Sequence, residues 1–199
     1  MTLVPGGVTG VVLTFSGLWG LPFLVDVYML NPRIAAMICS GIMLAWAIGG
    51  PFFSFCSEKL NQRKRPYFIG SLSALICWSA VFLIADLPLP VIIFLLFIAG
   101  LSSGGMILGF VWAKESVPIH LSGTVTGIVN TGVMCGPMLL QPLAGLVLEQ
   151  QWNGAAISDV GTYDFVAYRA GFGVLLIWLA ISVILLLLAR ESKCRQIPD

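Results

Sequence analysis

The stretch Gly50-Pro51-Phe52-Phe53-Ser54-Phe55-Cys56-Ser57-Glu58-Lys59-Leu60-Asn61-Gln62-Arg63-Lys64-Arg65-Pro66 decides the fold. Its second half carries five charges, Glu58, Lys59, Arg63, Lys64 and Arg65, and long apolar runs lie on both sides of it. A charge cluster between two such runs is a tight loop between two membrane-spanning helices. It also sets which side of the bilayer the loop faces.

The composition agrees. Of 199 residues, 58% are hydrophobic and only 10% are charged, with a mean hydropathy of +0.99. A soluble domain carries about 25% charged residues, so this chain reads as an integral membrane protein. A spanning helix needs roughly 20 mostly apolar residues, and six such stretches fit. They cover residues 8–30, 34–56, 67–85, 91–113, 121–148 and 167–189. The turns between them are Asn31-Pro32-Arg33, residues 57–66, Asp86 to Pro90, Lys114 to His120, and a longer loop, residues 149–166, carrying Asp159 and Asp164. A polar tail follows from Arg190. No basic residue precedes the first apolar run, so that run is expected to be a retained helix and not a cleaved signal. The expectation is one transmembrane domain over residues 1–199. The net charge of +1 comes from basic residues confined to short loops and points to no nucleic acid. Cys39, Cys56, Cys77 and Cys135 fall in apolar runs and, like Cys194, show no metal-binding spacing. No metal or cofactor is expected.

Orientation follows from the basic residues. Lys59, Arg63, Lys64, Arg65, Lys114, Arg190, Lys193 and Arg195 fall on the side of the charged loop, against Arg33 and Arg169 on the other. By the positive-inside rule, the loop and both termini are expected in the cytoplasm.

An internal match points to a repeat. Ser40-Gly41-Ile42 is followed after seven residues by Gly50-Pro51, and Thr126-Gly127-Ile128 after seven residues by Gly136-Pro137. The same shift lays the glycine-interrupted first helix on the glycine-interrupted fourth. Two three-helix copies, residues 8–85 and 91–189, contain an odd number of spans each and are therefore inverted in the membrane. Inverted repeats with Gly/Pro-broken helices mark transporters.

With these features the chain resembles the C-terminal half of a major facilitator superfamily transporter of bacterial type. The family's hairpin motif, G-x-x-x-D-R-x-G-R-R, maps onto Ser54, Glu58, Lys59, Asn61, Gln62 and Arg63. Acid, base and terminal base are kept, whereas Ser54 and Asn61 replace the two glycines. Residues 121–145 resemble the family's eleventh helix, and residues 16–24 its seventh. The resemblance implies secondary active transport of a small organic solute by alternating access, with proton-coupled symport as the family's common form. A second six-helix half, or a second copy of the chain, would complete the pathway in the bilayer of the inner membrane. The other reading is a fragment that only packs against a membrane partner.

Candidate residues follow from both lines. Ser54, Glu58, Lys59, Asn61 and Arg63, with Lys114 and Glu115 at the inner end of the fourth helix, form the expected cytoplasmic gating motif, in which Glu58 and Lys59 are expected to pair with Lys114 and Glu115. Asn130, Met134, Pro137 and Gln141 fall on one face of the fifth helix by spacing, and buried polar groups on such a face point to a cavity or another helix. Asn130, Met134 and Gln141 are therefore candidate substrate contacts. Trp19 and Phe23 beside Pro22, Trp46, Ser102 and Ser103 are candidate pocket walls. Asp26, the acid inside an expected span, is the candidate proton site. Glycine pairs Gly100/Gly104, Gly105/Gly109, Gly123/Gly127 and Gly132/Gly136 allow close helix approach. A serine-protease reading of Gly100-Leu101-Ser102-Ser103-Gly104 lacks a histidine on the sixth helix, the only histidine being His120. No enzyme is expected.

Overall fold

A computed structural model describes residues 3–151, 163–189, 191, 192 and 194. Among them, every regular element is helical, and six helices are long and apolar enough to cross a membrane. They are Leu3–Tyr28, Pro32–Leu60, Lys64–Leu83, Leu89–Glu115, Ile119–Gln151 and Phe165–Leu188, here called the first to sixth spans. Asp159, Arg190, Lys193 and Arg195 lie outside the described residues.

Short polar residues set the span ends. Asn31 accepts a hydrogen bond from the Arg33 amide at 2.9 Å, and Pro32 opens the second span. Asp164 caps the sixth by accepting from the Ala167 amide at 2.8 Å. The second span runs four residues past its expected end and takes Glu58 and Lys59 into its last turn. It stops at Asn61, which has φ 50°. That left-handed position favours glycine and tolerates asparagine, which accounts for Asn61 where the family motif has a glycine.

Two spans are interrupted part-way along. The first changes to a π-turn at Phe15–Trp19 and resumes as α-helix at Gly20–Tyr28. The fourth passes through a 3-10 turn at Gly104–Met106.

The inverted repeat is visible in the packing. The first span lies on the fifth and sixth, and the fourth lies on the second and third, so each repeat's leading helix docks in the other copy. The third and sixth pack on each other behind this central pair. Glycines make the crossings close. A Cβ on Gly136 or Gly6 would strike the backbone of Gly6 or Gly132, and one on Gly104 would strike Gly49. The second-span crossing uses Gly49, one residue before the Gly50 that the sequence shift pairs with Gly136. Gly105 faces Phe53, and Gly109 faces Pro5 and Tyr67. Gly123 and Gly127 have nothing within 4 Å, so this pair does no packing within the chain.

The core is richest where the first, third and sixth spans meet. Phe15, Phe23, Trp78, Phe82, Tyr168 and Phe172 form one ring cluster, with Phe82 and Phe172 centroids 4.4 Å apart. Outward-facing positions are apolar instead, including Ile69, Ile76, Phe94, Ile177 and Ile184. A water-soluble surface would not carry them in such number; a lipid-facing one does.

Candidate functional site

The charged loop builds a buried polar cluster where four spans end. Arg63 follows the Asn61 turn and is only 7% exposed. Its Nε and Nη2 donate to Glu115 Oε1 at 3.0 and 2.8 Å, and its Nη1 donates to Ser57 Oγ at 3.0 Å. Ser57 in turn donates to the Gln62 carbonyl at 2.8 Å. Ser192 donates to the other Glu115 oxygen at 2.6 Å. Glu191 accepts from the backbone amides of Arg63 and Lys64 at 2.9 and 2.8 Å. A carboxylate there satisfies the free amides of the third span's first turn and suits its positive dipole end. Lys64 closes the ring by donating to the Leu187 carbonyl at 2.6 Å.

Burial works against the Arg63 charge, but the hydrogen bonds and field of Glu115 outweigh it. The guanidinium is held above the ordinary arginine range. Burial also pushes the nearby Cys194 thiol up, partly countered by the field of Arg63.

The contact with Glu115 expected of Lys59 is made instead by Arg63 of the same motif. Glu58 and Lys59 are exposed, and it is Arg63 that meets Glu115. The motif's terminal base lies past the helix end, where the Asn61 turn brings it back over the bundle. Glu58 and Lys59 stay on the outer side of the last turn. Lys114 precedes Glu115 in the last turn of the fourth span. Glu191 and Ser192 were missed by the sequence reading. Their only signal was an acid just past the sixth span on the loop's side of the membrane.

Of the expected pocket residues, two come together. Trp19 Nε1 donates to the Gln141 carbonyl at 3.1 Å, and Gln141 Nε2 donates to the Leu13 carbonyl at 3.3 Å. Asn130 and Met134 are exposed on the fifth span, whereas Pro137 is buried. Trp46 and Ser54 line an open groove of about 350 Å³ with Gly50, Pro51 and Met106 between the second and fourth spans. A second groove, of about 380 Å³, runs between the first and second spans past Ser16, Gly17, Leu21, Pro22 and Ser40.

Three candidates are not pocket walls. Phe23 is fully buried in the ring cluster. Ser102 is buried and donates to Ser73 at 3.1 Å. Ser103 is fully buried and bonds back to the Ala99 carbonyl at 2.7 Å. In each case the rotation of the helix, set by its neighbours, turns the side chain inward. Asp26 accepts from Tyr168 Oη at 2.7 Å and from the Tyr163 amide at 3.4 Å, tying the outer ends of the first and sixth spans.

The second and fifth spans are the least buried of the six and flank the central first and fourth. The sequence profile of the Major Facilitator Superfamily matches residues 7–198. The chain belongs to this superfamily. It is an integral, multi-pass membrane protein of a transporter family. Solved relatives show the same fold at low identity. The xylose transporter XylE from E. coli, in a partially occluded inward-open conformation, superposes with a TM-score of 0.70 at 17% identity. It covers 96% of this chain and 48% of its own. A bacterial homolog of the human lysosomal transporter Spinster, inward-facing and occupied, gives 0.65 at 18% identity, covering 98% and 50%. The chain thus spans about half the length of these structures. No curated protein matches it.

Proposed function

We propose that this chain is one six-helix half of a twelve-helix secondary transporter that moves a small organic solute by alternating access. The observation that carries the reading is the low burial of the second and fifth spans, 28% each against 44% or more for the other four. The second and fifth spans keep bulky apolar residues such as Leu44, Ile48, Phe52, Ile128 and Met138 exposed on either side of the central helices. A second half, from another chain or a second copy, would cover these faces and enclose the grooves and Asn130 between the halves.

In this reading Arg63, Glu115 and Glu191 replace Glu58 and Lys59 as the latch. They join the ends of the second, third, fourth and sixth spans, whose relative motion opens or shuts that side. The basic bias of the charged-loop side supports a cytoplasmic placement of this cluster and of both termini in a bacterial inner membrane. Asp26, half-buried and bonded to Tyr168, is our candidate for proton exchange. Members of this family move solutes, and no catalytic chemistry is proposed.

The test is solute uptake into proteoliposomes holding the chain with each candidate second half and with itself alone. Saturable uptake that slows in Arg63→Met or Glu115→Met supports the reading. A chain that crosslinks only as a monomer in membranes, and gives no uptake with any partner, overturns it. That outcome would support the second reading, a packing partner without transport of its own, which the half-length match favours.

A further inference from the structure

The two grooves lie end to end along one face of the second span. Ala36, Ser40 and Met43 line the groove of about 380 Å³, and Ala47, Gly50 and Ser54 line that of about 350 Å³. These residues follow one another by three or four positions, so at 3.6 residues per turn they form a single stripe. From Ala36 to Ser54 the stripe runs about 27 Å at 1.5 Å per residue, close to the roughly 30 Å of a bilayer's hydrocarbon. None of its residues is buried, and all but Met43 are small.

The facing wall changes half-way. Toward the Asn31 turn it is the first span, with Gly17 and Leu21; toward the charged loop it is the fourth span, with Gly104 and Met106. Both grooves are thus formed within this chain. The second span carries no charged residue between Arg33 and Glu58, and neither do residues 13–25 and 101–113 of the facing walls. Arg33 and Glu58 themselves are exposed, beyond the two ends of the stripe. The grooves are lined by alkyl, aromatic and sulfur surface, with the hydroxyls of Ser16, Ser40 and Ser54.

We infer that this stripe receives the transported solute, and that the solute is an uncharged, mainly apolar molecule. A charge drawn out of water into either groove would find no counter-charge beside it, which strongly disfavours it. A polyol would leave most of its hydroxyls unpaired against alkyl walls. An apolar body packs on the small side chains, Met43 and Met106 adapt to its shape, and the serine hydroxyls meet one or two polar groups. Small-molecule sites share this size and this mainly apolar lining. The inference rests on the transport reading and deepens it: the reading says that a solute moves, and the stripe gives its class.

Equilibrium dialysis tests it with the full chain in phospholipid nanodiscs, less the uptake of empty nanodiscs. The probes are 2-acetylnaphthalene, uncharged and mainly apolar; 2-naphthoate, with the same rings and a charge; and inositol, an uncharged polyol. The ketone should bind saturably and the other two should not. Ala47→Leu and Ser40→Leu fill the stripe at exposed positions, and each should weaken ketone binding roughly tenfold. Ile48→Phe adds bulk one position off the stripe and should leave binding unchanged. Absent ketone binding, naphthoate or inositol bound as tightly as the ketone, or unchanged binding in both stripe variants overturns the inference. Phospholipid that stays with the wild-type chain through detergent exchange, and is lost in Ala47→Leu, would make the occupant a lipid tail and overturn it too. Binding is read on this chain alone, so its failure is distinct from failed uptake with every second half, which would overturn the transport reading.

Discussion

Replacing Glu115 with glutamine is the sharpest probe of the buried cluster. The change keeps the shape and one acceptor oxygen but removes the charge opposite Arg63. Arg63 then remains 7% exposed without its ion-pair partner. Deleting one partner of a buried pair costs about 3–5 kcal/mol. The retained carbonyl still accepts from Arg63, and a neutral hydrogen bond returns about 1 kcal/mol. The expected loss is therefore about 2–4 kcal/mol. The apolar double variant Arg63→Met/Glu115→Met removes both charges, and such replacements often come out neutral. It should be at least as stable as Glu115→Gln. Reversible unfolding in mixed micelles, followed by circular dichroism, gives both numbers. A loss under about 0.5 kcal/mol for Glu115→Gln would show the pair is screened by water. A double variant worse than either single would show that the cluster stabilises through its geometry rather than by charge compensation. The sign of the Arg63 shift adds a pH check. A raised arginine contributes stability that is fully present below its ordinary value and is lost only as pH rises through the raised one. Arg63 titration should thus leave the unfolding midpoint flat through the neutral range.

Three further outcomes follow. Gly136→Ala and Gly104→Ala place a Cβ against backbone and should each cost about 1–3 kcal/mol in the same unfolding assay, whereas Gly123→Ala and Gly127→Ala should be neutral for the isolated chain. Asn61→Gly should hold or raise stability, and Asn61→Val should lower it by about 1–2 kcal/mol because φ is 50° there. Cys194 should alkylate more slowly at neutral pH than a cysteine in an unfolded peptide, since its thiol is pushed up; an equal rate by mass spectrometry would contradict that shift.

Much of the fold was legible along the chain. Six spans, their order and their inversion follow from hydropathy and from the Gly-Pro match, because each span must satisfy its own backbone in lipid and needs no neighbour to do so. Which side chain meets which was not legible. Arg63 and Glu58 sit five residues apart in one motif, yet the Asn61 turn sends Arg63 inward and leaves Glu58 outside. Gln141 and Trp19 were both read as facing a solute, and they face each other. Ser102 and Ser103 looked available and are buried. Periodicity ranks the faces of one helix, but its rotation is set by contacts with the others. Those contacts arise from residues more than a hundred positions apart, as for Gln141 and Leu13. The sequence by itself determined a membrane bundle with a basic side and a glycine-rich interior, since these depend on local composition. Only the tertiary structure decided that Arg63 meets Glu115 and Trp19 meets Gln141, since both contacts are made where distant spans come together.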